Sequence, residues 1–224
     1  MKISPTLTEV KEIAKTGKYD ILPVSCEILS DFITPIEAMR ILQNVSTHCY
    51  LLESAQANEA WGRYTFLGYD PKLEINCIDG HMKLGKLSVE TENPSEYIRQ
   101  ILSEYKSPKF DYLPSFTGGL VGYFSYDYLG YKEKSIRGKA KDTEDFKDVD
   151  LMLFDKVIAF DNLCQKIILI ANMSLDAPET GYNKAIVELK QLRELLMHGE
   201  KKQNMGGKLL GDVTPLFEKE QYCE

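Results

Sequence analysis

Apolar and polar positions along the chain alternate with a period near two in some stretches and near 3.6 in others, so strands and amphipathic helices are both expected. "EVKEIAKTG" reads as a short helix ended by Gly17, and "YDILPVSCEIL" as a strand that Pro23 places at an edge or an irregularity. Thr34, Pro35 and Glu37 form a helix-start signal: an N-cap hydroxyl, a proline at the first helical position and an acid three residues after the cap. "PIEAMRILQN" is that helix. "HCYLLES", "RYTFLGYDP" and "KLEINCI" follow as strands, with "AQANEA" a polar loop after the first of them. Asp79-Gly80 is a hairpin turn leading into "HMKLGKLSVE".

Farther on, "NPSEYIRQILSEY" carries Tyr97, Ile98, Ile101, Leu102 and Tyr105 on one helical face, with Asn93 or Ser95 near its cap. "GGLVGYFSYD" is a glycine-rich strand, and "EKSIRGKAKDTEDFKD" a charged loop. "VDLMLFDKVIAFDN" and "CQKIILIANM" read as two arms of one hairpin turning near Asp161 to Leu163. "PETGYNKAIVELKQLRELLMHG" is a long amphipathic helix stopped by Gly199. Residues 200–213 read as a linker. "GDVTPLFEKEQYCE" then carries a new helix start at Asp212 or Thr214, Pro215 and Glu218. The helix it announces has little room before Glu224, so the natural polypeptide is expected to continue.

Composition narrows the function classes. The net charge of −7 lacks the clustered Lys and Arg that phosphate contacts need, which argues against a nucleic-acid partner. No apolar run approaches the roughly 20 residues of a membrane helix, and the N-terminus has no signal-peptide core, so the chain reads as cytoplasmic. Five scattered cysteines and three separated histidines give neither a C-x-x-C pair nor a zinc spacing. "GGLVG" has neither the G-x-G-x-x-G spacing of a dinucleotide loop nor the Lys-Ser/Thr of a P-loop. Gly118, Gly119 and Gly122 instead imply close backbone approach, a bulge or a bend. Tyr123, Phe124, Tyr126 and Tyr128 read as packing residues. Asp127, Asp155 and Asp161 read as ordinary strand-end carboxylates.

What chemistry remains sits at the end of "LLES". Leu51 and Leu52 fit a buried strand. Glu53 can accept from an ammonium group, and Ser54 can hydrogen-bond a carboxylate or ammonium; alternatively Glu53 is solvated and Ser54 starts a turn. Arg63 can pair with Glu53 across the hairpin, or grip a carboxylate as a two-pronged fork. Trp61 can anchor the intervening loop. Taken by itself, the chain is competent to bind a ligand and shows no catalytic constellation.

The segments "LLESAQANEAWGRYTFLGYDP" and "FTGGLVGYFSYD", with "PVSCEILSDFITPIEAMRIL" before them and "FEKEQYCE" at the end, resemble the N-terminal part of anthranilate synthase component I, in the chorismate-utilising family. The resemblance implies an α+β fold of mainly antiparallel sheets, part of a two-sheet sandwich, with outer helices. It implies a regulatory region over residues 1–199, the linker at 200–213, and the start of a chorismate-binding catalytic region at 214–224. In that family the whole enzyme makes anthranilate and pyruvate from chorismate with Mg²⁺, using ammonia from a glutamine amidotransferase, component II. The catalytic and metal-binding motifs of the family match nothing in this chain. Its feedback site for L-tryptophan maps onto Leu52, Glu53 and Ser54, with Arg63 or Tyr64 from the next strand. Two alternatives stay open: aminodeoxychorismate synthase component I, which serves folate synthesis, and a stand-alone amino-acid-binding module.

Overall fold

The computed structural model describes residues 1–54, 62–135, 146–203, 206–215 and 218–223. It is an α+β structure with two antiparallel sheets. The six-stranded sheet runs in the order β1 (Ile3–Ser4), β2 (Ile21–Leu29), β11 (Lys166–Ser174), β10 (Lys156–Asp161), β4 (Tyr64–Tyr69), β3 (Cys49–Leu52). The five-stranded sheet runs β7 (Leu87–Glu90), β6 (His81–Leu84), β5 (Leu73–Ile78), β9 (Val149–Phe154), β8 (Gly119–Phe124).

Three helices cover one face of the larger sheet: α1 (Leu7–Lys15), α2 (Pro35–Val45) and α4 (Pro178–His198). Their apolar faces meet Leu22, Val24, Leu67, Ile158, Phe160, Ile167 and Leu169 in the main core. The opposite face buries Val157, Ala159, Ile168 and Ile170 beneath Leu113, Phe110 and Phe116. β10 and β11 are thus buried on both sides, which is why "VIAF" and "IILIA" are continuous apolar runs rather than alternating ones. The smaller sheet packs Ile75, Cys77, Met82, Val149 and Leu151 against Ile98 of α3 (Pro94–Ser103).

Local signals are realised where backbone groups demand them. Thr34 accepts from the Glu37 amide while Glu37 reaches back to the Thr34 amide, and Pro35 opens α2. Thr6 and Glu9 form the same reciprocal cap on α1. Asn93 caps α3 without its side chain, which instead accepts from Ser95. Asp79 and Gly80 take φ of 47° and 83° in the two-residue turn between β5 and β6. Pro23 lies on β2 outside the short pairing with β1, which engages only Ser25 and Cys26, so its missing N–H faces an edge.

Several expectations are corrected. The run "VDLMLFDKVIAFDN" is not one hairpin arm: it breaks at Asp155, with β9 in the smaller sheet and β10 in the larger. The chain crosses between sheets again from β4 to β5, through Asp70 to Lys72. Main-chain bonds fix both crossings, Lys72 N–H to the Leu153 carbonyl at 2.8 Å and Asn172 N–H to the Asp155 carbonyl at 2.8 Å. The Asn172 amide also donates to the Thr117 carbonyl at 2.6 Å. A period-two pattern reports burial on each face and does not register a change of sheet, so the break is invisible in it. "HMKLGKLSVE" is likewise two strands, turning at Gly85.

Gly199 ends α4 with φ of −66°, not in the left-handed region. A Cβ there would lie 2.4 Å from the Leu195 carbonyl oxygen and 2.5 Å from Ile41, so closeness selects the glycine. The last helix, α5 (Lys219–Cys223), begins at Lys219 rather than at Pro215. Of the tyrosines read as packing residues, Tyr128 contacts Phe124 and Tyr131, whereas Tyr126 is 86% exposed. Trp61 and the "AQANEA" loop lie outside the described residues, as does most of the charged loop, 136–145.

Candidate functional site

Three strand ends converge at one end of the larger sheet. β3 finishes at Leu52, β4 starts at Tyr64, and β10 finishes at Asp161. The register pairs Leu52 with Phe66 and Tyr64 with Asp161, which brings the Leu52–Ser54 segment, Arg63, Tyr64 and the Asp161–Cys164 turn together. Side chains on these elements supply two polar groups.

The first is a chain of hydrogen bonds through Thr65, which is fully buried. Its hydroxyl donates to Glu53 Oε1 at 3.4 Å and accepts from Asn162 Nδ2 at 3.3 Å. A buried hydroxyl needs such partners, because leaving it unpaired costs about 1–3 kcal/mol. Glu53 itself is exposed, as are Leu52 and Ser54, so the end of "LLES" faces outward with one carboxylate oxygen anchored.

The second is an ion pair. Arg63 Nε donates to Asp161 Oδ1 at 3.0 Å, and Nη2 donates to Oδ2 at 2.6 Å. The cross-hairpin pair of Arg63 with Glu53 is therefore not formed; Asp161 takes the fork instead. The reason is burial. The Asp161 side chain is only 4% exposed and requires a cation, whereas Glu53 is solvated and does not. The main-chain amides of Leu163 and Cys164 also donate to Asp161 Oδ1, at 3.2 and 3.1 Å. Reading Asp161 as an ordinary strand-end carboxylate is thus overturned. Its signal was available in the sequence, because it directly follows the four apolar residues Val157–Phe160 and so ends a strand buried on both faces.

The guanidinium hydrogen bonds hold the Asp161 carboxyl below its ordinary value, while Asp161 raises Arg63 further. A carboxylate depressed in the folded state stabilises the fold above its unfolded pKa, near 4, and that stability is lost as pH falls through the folded value. The stability gap between the wild-type chain and Asp161→Asn is therefore expected to shrink on acidification below about pH 4, measured by denaturant unfolding at stepped pH. A gap independent of pH would mean that Asp161 is not charged in the fold.

Apolar surface adjoins these polar groups. Leu52 is 48% exposed. Arg63 lies 4.9 Å over the Tyr64 ring, and Tyr64 leads into a file of rings through Phe66 to Phe116. Burial raises the Tyr64 phenol above its ordinary value, so it stays a neutral donor at neutral pH. Together the strand ends offer a carboxylate, a hydroxyl, a guanidinium and an aromatic face. That set is complementary to an α-amino acid with an aromatic side chain. Thr65, Asn162, Asp161 and Cys164 were not among the candidates the sequence suggested.

A cleft of about 430 Å³ at the junction of the two sheets is a weaker candidate. Of its three lysines, Lys72, Lys156 and Lys184, the half-buried Lys156 is already paired with Asp70 at 3.1 Å and with Asp155 at 3.7 Å.

The chain is 34% identical over 198 residues to anthranilate synthase component 1 of Acetivibrio thermocellus, covering 86% of this chain and 39% of that protein. It is 36% identical over 196 residues to the protein of the same name from Pseudomonas aeruginosa, covering 84% and 39%. The chain thus spans about two fifths of the length of these relatives. A crystal structure of anthranilate synthase component I from Streptococcus pneumoniae aligns over 74% of this chain and 36% of that one, at 25% identity and a TM-score of 0.48. The family model for chorismate binding enzymes matches residues 47–224, well over half of the sequence, and the chain belongs to that family.

Proposed function

We propose that this chain is the N-terminal, tryptophan-sensing portion of an anthranilate synthase component I. The observation that carries the reading is the convergence of Glu53, Ser54, Arg63 and Tyr64 at one sheet end. It occurs in a chain whose relatives bear that enzyme's name over four fifths of its length. In this reading Glu53 and Ser54 meet the ammonium end of L-tryptophan, Arg63 meets its carboxylate, and Leu52 and Tyr64 pack against the indole. The rest of the pocket wall belongs to sequence beyond these residues.

The whole enzyme would convert chorismate, with ammonia delivered from glutamine by component II, into anthranilate and pyruvate. Its Mg²⁺ would be held elsewhere. Among the described residues no group of three His, Cys, Asp or Glu side chains is placed to hold a metal, so no step on this chain is assigned to one. Regulation then follows from differential affinity. Tryptophan bound at the sheet end favours a state with weak chorismate binding, and a coupling of about 1–3 kcal/mol gives 5- to 150-fold inhibition.

Ser54→Phe tests this in the full-length enzyme. A phenyl ring at the strand end fills the space the ligand's polar end needs. The expected result is anthranilate formation that continues at tryptophan concentrations that silence the parent enzyme. Unchanged inhibition would remove Ser54 from the site, and production of aminodeoxychorismate instead of anthranilate would replace the pathway assignment.

A further inference from the structure

Asp161 is nearly buried, yet it holds the Arg63 guanidinium at the candidate site. We propose that Asp161 is a positioning residue for ligand recognition, fixing the plane of the Arg63 guanidinium so that its outer edge meets the carboxylate of a bound amino acid. The inference rests on the amino-acid-binding reading above and adds to it how the cation is aimed.

The geometry supplies the argument. A free arginine on a strand end samples many rotamers, and each hydrogen bond to a ligand must overcome that freedom. Here the guanidinium is held on two N–H groups by a nearly buried carboxylate, at 3.0 and 2.6 Å. A third contact runs from Nη2 to Cys164 Sγ at 3.6 Å. Arginine has five N–H donors, so the two on Nη1 are uncommitted among the described residues. The side chain is 35% exposed, so this edge can be approached from solvent. Asp161 is in turn fixed by the amides of Leu163 and Cys164. Orientation therefore passes from the β10–β11 turn, through Asp161, to Arg63. A fork pre-aligned in this way loses less entropy on binding than a mobile one. The stack on Tyr64 at 4.9 Å restrains the same plane from its face.

A comparison of two ligands separates positioning from general stability. Tryptamine keeps the indole and the ammonium of tryptophan and lacks the carboxylate. Titration calorimetry of the wild-type and D161N full-length enzymes with each ligand is expected to show roughly tenfold weaker L-tryptophan binding in D161N, with tryptamine binding unchanged. D161E, which keeps the charge, is expected to recover part of the loss. Equal weakening of both ligands would make the role of Asp161 structural and overturn the inference. Wild-type affinity of D161N for L-tryptophan would overturn it too, leaving the amino-acid-binding reading intact. Wild-type full-length enzyme that binds neither ligand would overturn that reading, and the inference with it. Should D161N unfold at the assay temperature, D161E carries the same comparison, because the longer carboxylate keeps the charge and shifts the plane of the fork.

Discussion

Gly122→Ala is expected to lower the stability of this chain by about 3 kcal/mol, or roughly 6–12 °C in melting temperature. Gly122 pairs with Leu151 in the middle of β8, and its φ is 153°. A Cβ there would lie 1.9 Å from the Asp150 carbonyl oxygen and 2.9 Å from the Leu151 Cα. Both obstacles are backbone of the neighbouring strand, so no side-chain rotation relieves them. Either β8 lifts from β9 or the alanine takes up a backbone conformation that its side chain disfavours. Thermal melts followed by circular dichroism decide the matter. A melting temperature within 2 °C of wild type would show that β8 does not approach β9 this closely. Gly17→Ala is a useful contrast: it also has positive φ, 61°, but nothing within 4 Å of the added methyl, so only the conformational strain remains.

Arg63→Ala is expected to cost about 2–3 kcal/mol. The lost attraction is the smaller part. Removing the guanidinium leaves a carboxylate that is 4% exposed without its cation, and an uncompensated buried charge is the larger penalty. Two effects cap it: the Leu163 and Cys164 amides still donate to Asp161, and the carboxyl can take up a proton. The double variant Arg63→Ala with Asp161→Asn is therefore expected to be more stable than Arg63→Ala alone, because the second change removes the stranded charge. Additive losses in urea unfolding would contradict the pair. By contrast, Lys11 with Glu179 and Lys166 with Glu27 join exposed side chains, and their removal is expected to matter little.

Much of the fold was legible because local chemistry and burial agree. The Thr34–Pro35–Glu37 start of α2, the Asp79-Gly80 turn and the long apolar stripe of α4 each follow from one local rule. The division of strands between two sheets was not legible. At Asp155 the strand pattern resumes at once while the hydrogen-bonding partner changes, and at Asp70–Lys72 the break between strands is visible but not the change of sheet, because pattern records only what is buried. At the candidate site the sequence singled out Leu52, Glu53 and Ser54, which are exposed, and Arg63 and Tyr64, which are half-buried. It missed the buried Thr65 and Asp161, and the exposed turn residue Asn162 that bonds to Thr65, because their role depends on β10 lying beside β4. Those two strands are about ninety residues apart in sequence, and no local rule pairs them. The error over Arg63 has the same origin. Glu53 was the nearer carboxylate in sequence, but Asp161 is the one whose burial demands a cation.

The central claim is that the ends of β3 and β4 bind an aromatic amino acid. Calorimetric titration of this chain with L-tryptophan tests it most directly, with L-phenylalanine and chorismate as controls and Ser54→Phe as the site variant. The account predicts a saturable signal for tryptophan, weaker or absent binding of the two controls, and loss of the tryptophan signal in Ser54→Phe. Chorismate binding in preference to tryptophan, or tryptophan binding unaffected by Ser54→Phe, would contradict it.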